Sequence, residues 1–411
     1  MITPSFGLTA TERVLPRFTL DWTTGSPQSG VDVDRAGVAT YVDLNGVLQD
    51  ASADTQRINY STGIAGLLVE EARTNGLPNN TMQGAVVGTP GTIPTNWSLI
   101  PQGLTQEIVA VDTVNGVQYI DIKLSGTTTA TNPNILFVGT TTVAALIGQT
   151  WTSSFYLAVV GGSLTNITAV LHVISERSAV GTLVANKNGT NIGATGVLTR
   201  SSFSTTLTGV TTAFIYSAVR LSITSGVAVD VTLRIGLPQL EQGEFATSVI
   251  KTSTVAVTRN ADVATITGTN FSDWYIAGAG GVVVRVLPST VSGTRPALQF
   301  DDATADEVIA LRGNTTNPEL LIVNGGSPQA QIDAGTISAN TAYNLGAAWN
   351  TDNCAAAVNG GAAVTDTSAT IPTVTQALLG SDGTNYLNGN IQTLRYWPQR
   401  IINAEVQAFS K

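Results

Sequence analysis

Two stretches of this chain alternate apolar and polar residues with a period of two, Tyr119-Ile-Asp-Ile-Lys-Leu124 and Val229-Asp-Val-Thr-Leu-Arg-Ile235. A pleated strand answers that pattern, because it sends successive side chains to opposite faces, one buried and one wetted. Shorter strand-like runs fill most of the remaining chain, among them WTSSFYLAVVGG, AFIYSAVRLSI, GGVVVRVLP and ELLIVNGG, punctuated by Gly, Asn, Asp and Pro. Charged residues make up only 11% and glycines number 41, a composition that favours short strands joined by turns over helices. Only Asn403 to Phe409 reads as a helix, with Ile402, Val406 and Phe409 at helical spacing. The expected class is all-β.

A chain of 411 residues exceeds what one core usually supports, so roughly two to three domains of about 100–200 residues are expected. Residues 1–75 read as an N-terminal attachment module that opens on a tethering segment over 1–20, where Pro4 and Pro16 limit regular structure. Residues 76–250 and 263–411 read as two antiparallel β-sandwich, jelly-roll-like domains, with the Thr-rich segment 251–262 as the linker. Asn45-Gly46 between apolar runs signals a two-residue hairpin. Pro238 is expected to break or edge its strand, and Gly243 to permit the turn that leads the chain out.

A formal net charge of −9 and a pI near 4.6 leave no basic stripe to neutralise phosphates, so nucleic acid and anionic membrane surfaces are not the partners expected. The opening MITPSFGLTATER lacks the basic and apolar regions of a signal peptide, and no run approaches the ~18–20 apolar residues of a membrane span. With one cysteine, Cys354, neither an internal disulfide framework nor a cysteine-based zinc site can be built.

Three stretches carry a resemblance. RAGVATYVDLNGVLQDASADTQRINY followed by GLLVEEARTN (Arg35 to Asn75) resembles the N-terminal module of bacteriophage head-spike and tail-fibre proteins. LPQLEQGEFATSVIKTSTVAVTRNADV (Leu237 to Val263) is similar to the final strand and exit of the carbohydrate-binding-type jelly rolls that often follow that module. LNGNIQTLRYWPQRIINAEVQAFS (Leu387 to Ser410) looks like the closing strand of a laminin-G or concanavalin-like sandwich, with Pro398 stopping the strand before a short helix. The resemblance implies a virion structural protein, a head or tail fibre or spike subunit, made in the host cytoplasm without a signal peptide. Its partners would be other virion proteins and host surface polysaccharide. A homotrimer is expected, since weak single-site sugar affinity becomes useful as avidity.

Sugar recognition needs an aromatic face ringed by hydrogen-bonding groups. The aromatics beside polar loops are Trp97, Trp274, Tyr275 and Trp349, and these are the candidate glycan-binding residues. Trp151 reads as core. The densest acidic cluster, Asp301, Asp302 and Asp306 with Glu307, is the candidate calcium site, because a hard cation takes several carboxylate oxygens. No catalytic set can be assigned: His172 is the only histidine and lies in the apolar run AVLHVIS, and no GxSxG elbow leads into a helix. The expectation is a non-enzymatic subunit for adsorption to host polysaccharide. A purely structural capsid or tail decoration protein is the alternative, and a polysaccharide depolymerase the second.

Overall fold

The computed structural model describes residues 15–411. Apart from short helical turns it is built of antiparallel strands, as the alternation requires. Residues 1–14, most of the expected tethering segment, lie outside the described residues. Among the described residues no helix is long and apolar enough to cross a membrane.

The chain divides into two compact units. One comprises residues 34–63 and 70–262, the other 64–69, 263–411 and the chain up to Val33. Of the module expected over 1–75, the described residues 15–75 contribute to both units, and residues 251–262, expected as a linker, belong to the first.

The unit of residues 34–63 and 70–262 is a jelly-roll-like sandwich. Its five-stranded sheet has the order Thr199–Thr206, Thr150–Gly162, Ala228–Gln242, Val117–Thr127 and Thr105–Val114. The opposing sheet runs Leu183–Asn191, Ala169–Arg177, Phe214–Ser222, Asn134–Leu136 and Ser98–Ile100, with Val143–Ala144 also on Phe214–Ser222. The two alternating stretches pair with each other in antiparallel register, Ile120 opposite Ile235 and Ile122 opposite Leu233. That register sends Ile120, Ile122, Leu124, Val231, Leu233 and Ile235 together into the core between the sheets. Pro238 does not end its strand. Ala228–Gln242 continues through it by a bulge, with Leu237 at φ +42° and the pairing to Thr150–Gly162 shifted there.

A hairpin of Ala39–Val42 and Leu48–Ala51 is joined by a loop longer than two residues, which Asp43 organises. Its carboxylate accepts from the Asn45 and Val47 amides, each at 2.9 Å, while Gly46 takes φ +74°.

In the other unit, one sheet runs through Val364–Asp366, Cys354–Val358, Tyr343–Asn350, Ala279–Pro288, Gly389–Trp397 and Gly66–Val69, with Phe18–Asp21 also pairing to Gly389–Trp397. The second sheet runs through Val263–Ile266, Gln376–Leu379, Thr294–Asp301, Val308–Asn314, Asn317–Asn324 and Ser327–Asp333. Helix Asn403–Phe409 forms where the spacing predicted it, capped by Glu405, whose carboxylate accepts from the Ile402 amide at 3.0 Å. Ile401 rather than Ile402 joins Val406 and Trp397 in the small core beneath it, and Phe409 stacks on Trp397 at 5.0 Å.

Candidate functional site

None of the aromatic candidates presents a ring to solvent. Trp97 lies in the sandwich core, edge-on to Phe137 at 4.8 Å, with its indole donating to the Asn79 carbonyl at 2.8 Å. Trp274 stacks on Phe18 at 4.2 Å and donates to the Asn270 carbonyl. Tyr275 stacks on Phe271, and Trp349 is fully buried within the same aromatic cluster, near Phe300 and Tyr396. Their flanking polar loops suggested exposure, but burying a ring of that area outweighs its local setting. As ligand platforms, Trp97, Trp274, Tyr275 and Trp349 are therefore corrected to core residues. Trp151 is core as expected.

The acidic candidates are also engaged. Asp301 is buried and accepts from Gln299 Nε2 and Gln376 Nε2, each at 2.7 Å, and from the Ala303 amide at 2.9 Å. Asp302 binds the Thr304 amide and hydroxyl, Glu307 the Gly325 amide, and the Asp306 carbonyl the Gly326 amide. Among the described residues no group of three or more His, Cys, Asp or Glu is placed to hold a metal ion. Asp301, Asp302 and Asp306 serve the turn rather than converging on a cation.

Residues 35–75 and 237–262 are bonded to each other. Asp262 is paired with Arg35 at 2.8 Å and with Arg57, and accepts from the Glu70 amide at 2.9 Å. Glu70 is held by Arg57 at 2.8 Å, Arg259 at 2.7 Å, and the Ser248 amide and hydroxyl at 2.8 and 2.6 Å. Burial works against ionising Glu70, but the two arginines and Ser248 more than offset it and hold its pKa down to about 2. Asn75 accepts from the Leu240 amide and donates to the Ile250 carbonyl. Gly243, at φ +140°, leaves the space that the Arg73 guanidinium fills. These residues weld residues 34–63 to the sandwich, so the cluster is spent on internal cohesion.

On the outer face of the five-stranded sheet a second, polar set collects, with Tyr119, Asp121 and Thr232 buried and Lys123 and Arg234 partly exposed. The register that buries the isoleucines points Tyr119, Asp121 and Lys123 outward beside Asp230, Thr232 and Arg234. Asp121 faces Arg234 directly and takes its Nε and Nη2 in a bidentate pair, both at 2.9 Å. The guanidinium carbon sits 3.7 Å from the centre of the Tyr119 ring. The hydrogen bonds to Asp121 chiefly raise the Arg234 pKa, keeping it charged. Arg234 is thus fixed in plane and orientation, and its Nη1 has no partner among the described residues. Lys123, opposite Thr232, reaches Asp230 diagonally and more loosely, at 3.6 Å.

Two hollows meet at Arg234 and Val160. One, of about 450 Å³, lies over Glu107, Asp121, Lys123, Gly161 and Asp230. The other, of about 300 Å³, is lined by Val42, Leu48, Val117, Tyr156, Ala158 and Val197. Its end wall is the hairpin. The Leu48 amide donates to the Asn115 carbonyl at 2.9 Å, and Gly116, at φ +76°, lets the 114–117 turn close on the Leu48 backbone where a side chain could not fit. Leu48, Val117, Leu237 and Val249 pack there with Val42, Tyr156 and Leu198. Beyond that wall the same sheet face is covered: Ser154, Gln239 and Glu241 are buried and bonded to Arg200, Ile250 and Thr247.

Sequence reasoning missed Arg234, Asp121 and Tyr156 because it sought aromatics in loops. The signal was available in the polar phase of the alternation, where DIK and DVTLR place opposite charges on one face. His172 is a buried core residue. Its Nε2 lies 2.9 Å from the Ser201 hydroxyl and its Nδ1 3.3 Å from that of Ser153, and burial pushes its pKa down to about 3.

No protein-family model and no curated protein matches the chain. Among solved structures it is similar to the CBM40 of Ruminococcus gnavus IT-sialidase bound to α2,3-sialyllactose, at 13% identity and TM-score 0.29, covering 33% of this chain and 84% of that one. It is similar to the CBM22-1–CBM22-2 tandem of Paenibacillus barcinonensis Xyn10C, at 9% identity and TM-score 0.25, covering 77% and 99%. Mouse laminin α1 domains LG4-5 match at 10% identity and TM-score 0.23, covering 72% and 95%.

Proposed function

We propose that this chain is a fibre or spike subunit of a phage particle, and that the groove over Asp121, Lys123 and Arg234 binds a saccharide of the host surface. The observation that carries the binding role is Arg234, held by Asp121 and Tyr119 so that the two N–H groups of Nη1 are left for the groove. A preoriented donor loses little entropy when a hydroxyl arrives. Around it, Glu107, Asp121 and Asp230 alternate with Lys123 and Arg234. Near-balanced donors and acceptors suit a hydroxyl-rich ligand better than a polyphosphate. The virion role rests on the resemblance of residues 35–75 to the N-terminal module of phage spikes and fibres, with residues 237–263 similar to the jelly-roll exit that often follows it and 387–410 to a laminin-G-like closing strand, and association into a homotrimer would turn weak sites into firm adsorption.

The test is an array of bacterial capsular and O-antigen polysaccharides probed with the full chain and with Arg234→Ala. Loss of a charged-group hydrogen bond predicts roughly tenfold or greater weakening, with the urea midpoint little changed. Equal binding by both proteins, or binding to nothing on the array, refutes the groove. The second reading, a decoration or adaptor protein without glycan binding, is favoured by the burial of Trp97, Trp274 and Trp349. It predicts an empty array together with localisation packed against neighbouring particle subunits.

A further inference from the structure

The groove over Arg234 has one blind end. Three pieces of chain close it: the hairpin at Val42 and Leu48, the 114–117 turn locked to Leu48, and the 196–198 loop. The sheet continues beneath the hairpin, but its outer face there is filled by residues 247–250 and Arg200. A polymer lying across Arg234 therefore cannot run on in that direction. On the other side of Arg234 the hollow over Glu107, Lys123 and Asp230 is open and polar. The two ends also differ in chemistry, since the blind end is lined by the aliphatic Val42, Leu48, Val117, Ala158 and Val197, with Asn115 and Tyr156 as its polar members, and among the described residues holds no carboxylate or lysine.

Resting on the saccharide reading above, we infer that the site recognises the end of a glycan chain, and that the terminal sugar carries a methyl-bearing substituent, as in a 6-deoxyhexose or an acetylated sugar. The methyl group enters the aliphatic blind end, where its transfer from water is favourable. The terminal ring lies beside Arg234, which donates from Nη1 to a hydroxyl. The following sugars leave over Lys123 and Asp230 toward solvent.

Two measurements separate this from interior binding. Using a polysaccharide that binds on the array, competition is compared between the intact polymer and partial acid hydrolysates of the same mass. If chain ends are bound, fragments of one-tenth the length compete about tenfold better per gram, following the number of ends. Potency per gram that stays constant or falls on hydrolysis overturns end recognition and leaves the saccharide reading standing. Absence of any binding polysaccharide overturns both. The second measurement uses Val197→Trp, placed on an exposed loop to fill the blind end without touching a core. It should abolish binding of 6-deoxy or acetylated fragments while the thermal midpoint is kept. Unchanged binding by this variant means that the blind end is not occupied and refutes the inference.

Discussion

Glu70→Gln isolates the role of the ion cluster that joins residues 34–63 to the sandwich. The substitution keeps the shape and removes the charge that Arg57 and Arg259 share. A carboxyl whose pKa falls from 4.5 to about 2 on folding contributes about 3 kcal/mol when ionised. The sign follows from the depressed value. The contribution is fully present above the unfolded pKa near 4.5 and is lost as pH falls toward about 2. Leaving two buried arginines short of a partner points the same way, with breakage of buried pairs costing about 3–5 kcal/mol. The assay is urea-dependent amide exchange read on the strands Val117–Thr127 and Ala228–Gln242, because two units need not unfold together. Glu70→Gln should lower their stability by about 3 kcal/mol at pH 7, and the gap to the parent should close as pH drops below 4.5. A gap under about 1 kcal/mol, as for a surface pair, or one that ignores pH, would refute the cluster's role.

His172, kept neutral by burial, should make the same unit acid-labile. Its folded pKa of about 3 lies below the ordinary 6.5, so stability is lost as pH falls from 6.5 at about 1.4 kcal/mol per pH unit. His172→Gln should flatten that slope in urea midpoints taken between pH 6.5 and 4.5. Trp97→Ala should cost about 3–5 kcal/mol through a core cavity, and Trp97→Phe should leave saccharide affinity unchanged; a selective loss of binding in a folded Trp97→Phe would return that residue to a site. Since the Asp301 carboxylate already accepts three hydrogen bonds, millimolar calcium and its chelation should leave the thermal midpoint of the full chain where it was. A calcium-dependent rise would restore the metal reading of Asp301, Asp302 and Asp306.

Strand content was legible because period two is a local property, and the C-terminal helix was legible for the corresponding reason at period 3.6. Partners distant in sequence were less so. Nothing near Arg57 announces that its counter-ion is Asp262, and nothing near Gly66–Val69 announces pairing with Gly389–Trp397. The division of residues 15–75 between two units follows from such long-range pairings. The site was misread for a related reason. An aromatic beside a Pro/Gly loop, like Trp97, resembles an exposed platform until the opposite sheet is known to cover it. Conversely, Arg234 reads as the wetted residue of an ordinary strand until register places Asp121 beside it and Tyr119 beneath it.

The most direct test of the groove is amide exchange of the full chain with and without the best-binding array oligosaccharide. Protection is predicted on Tyr119 to Lys123 and Asp230 to Arg234, together with the hairpin at Val42 to Leu48. Protection confined to the Gly88–Trp97 loop, or to residues 263–411, would contradict the account.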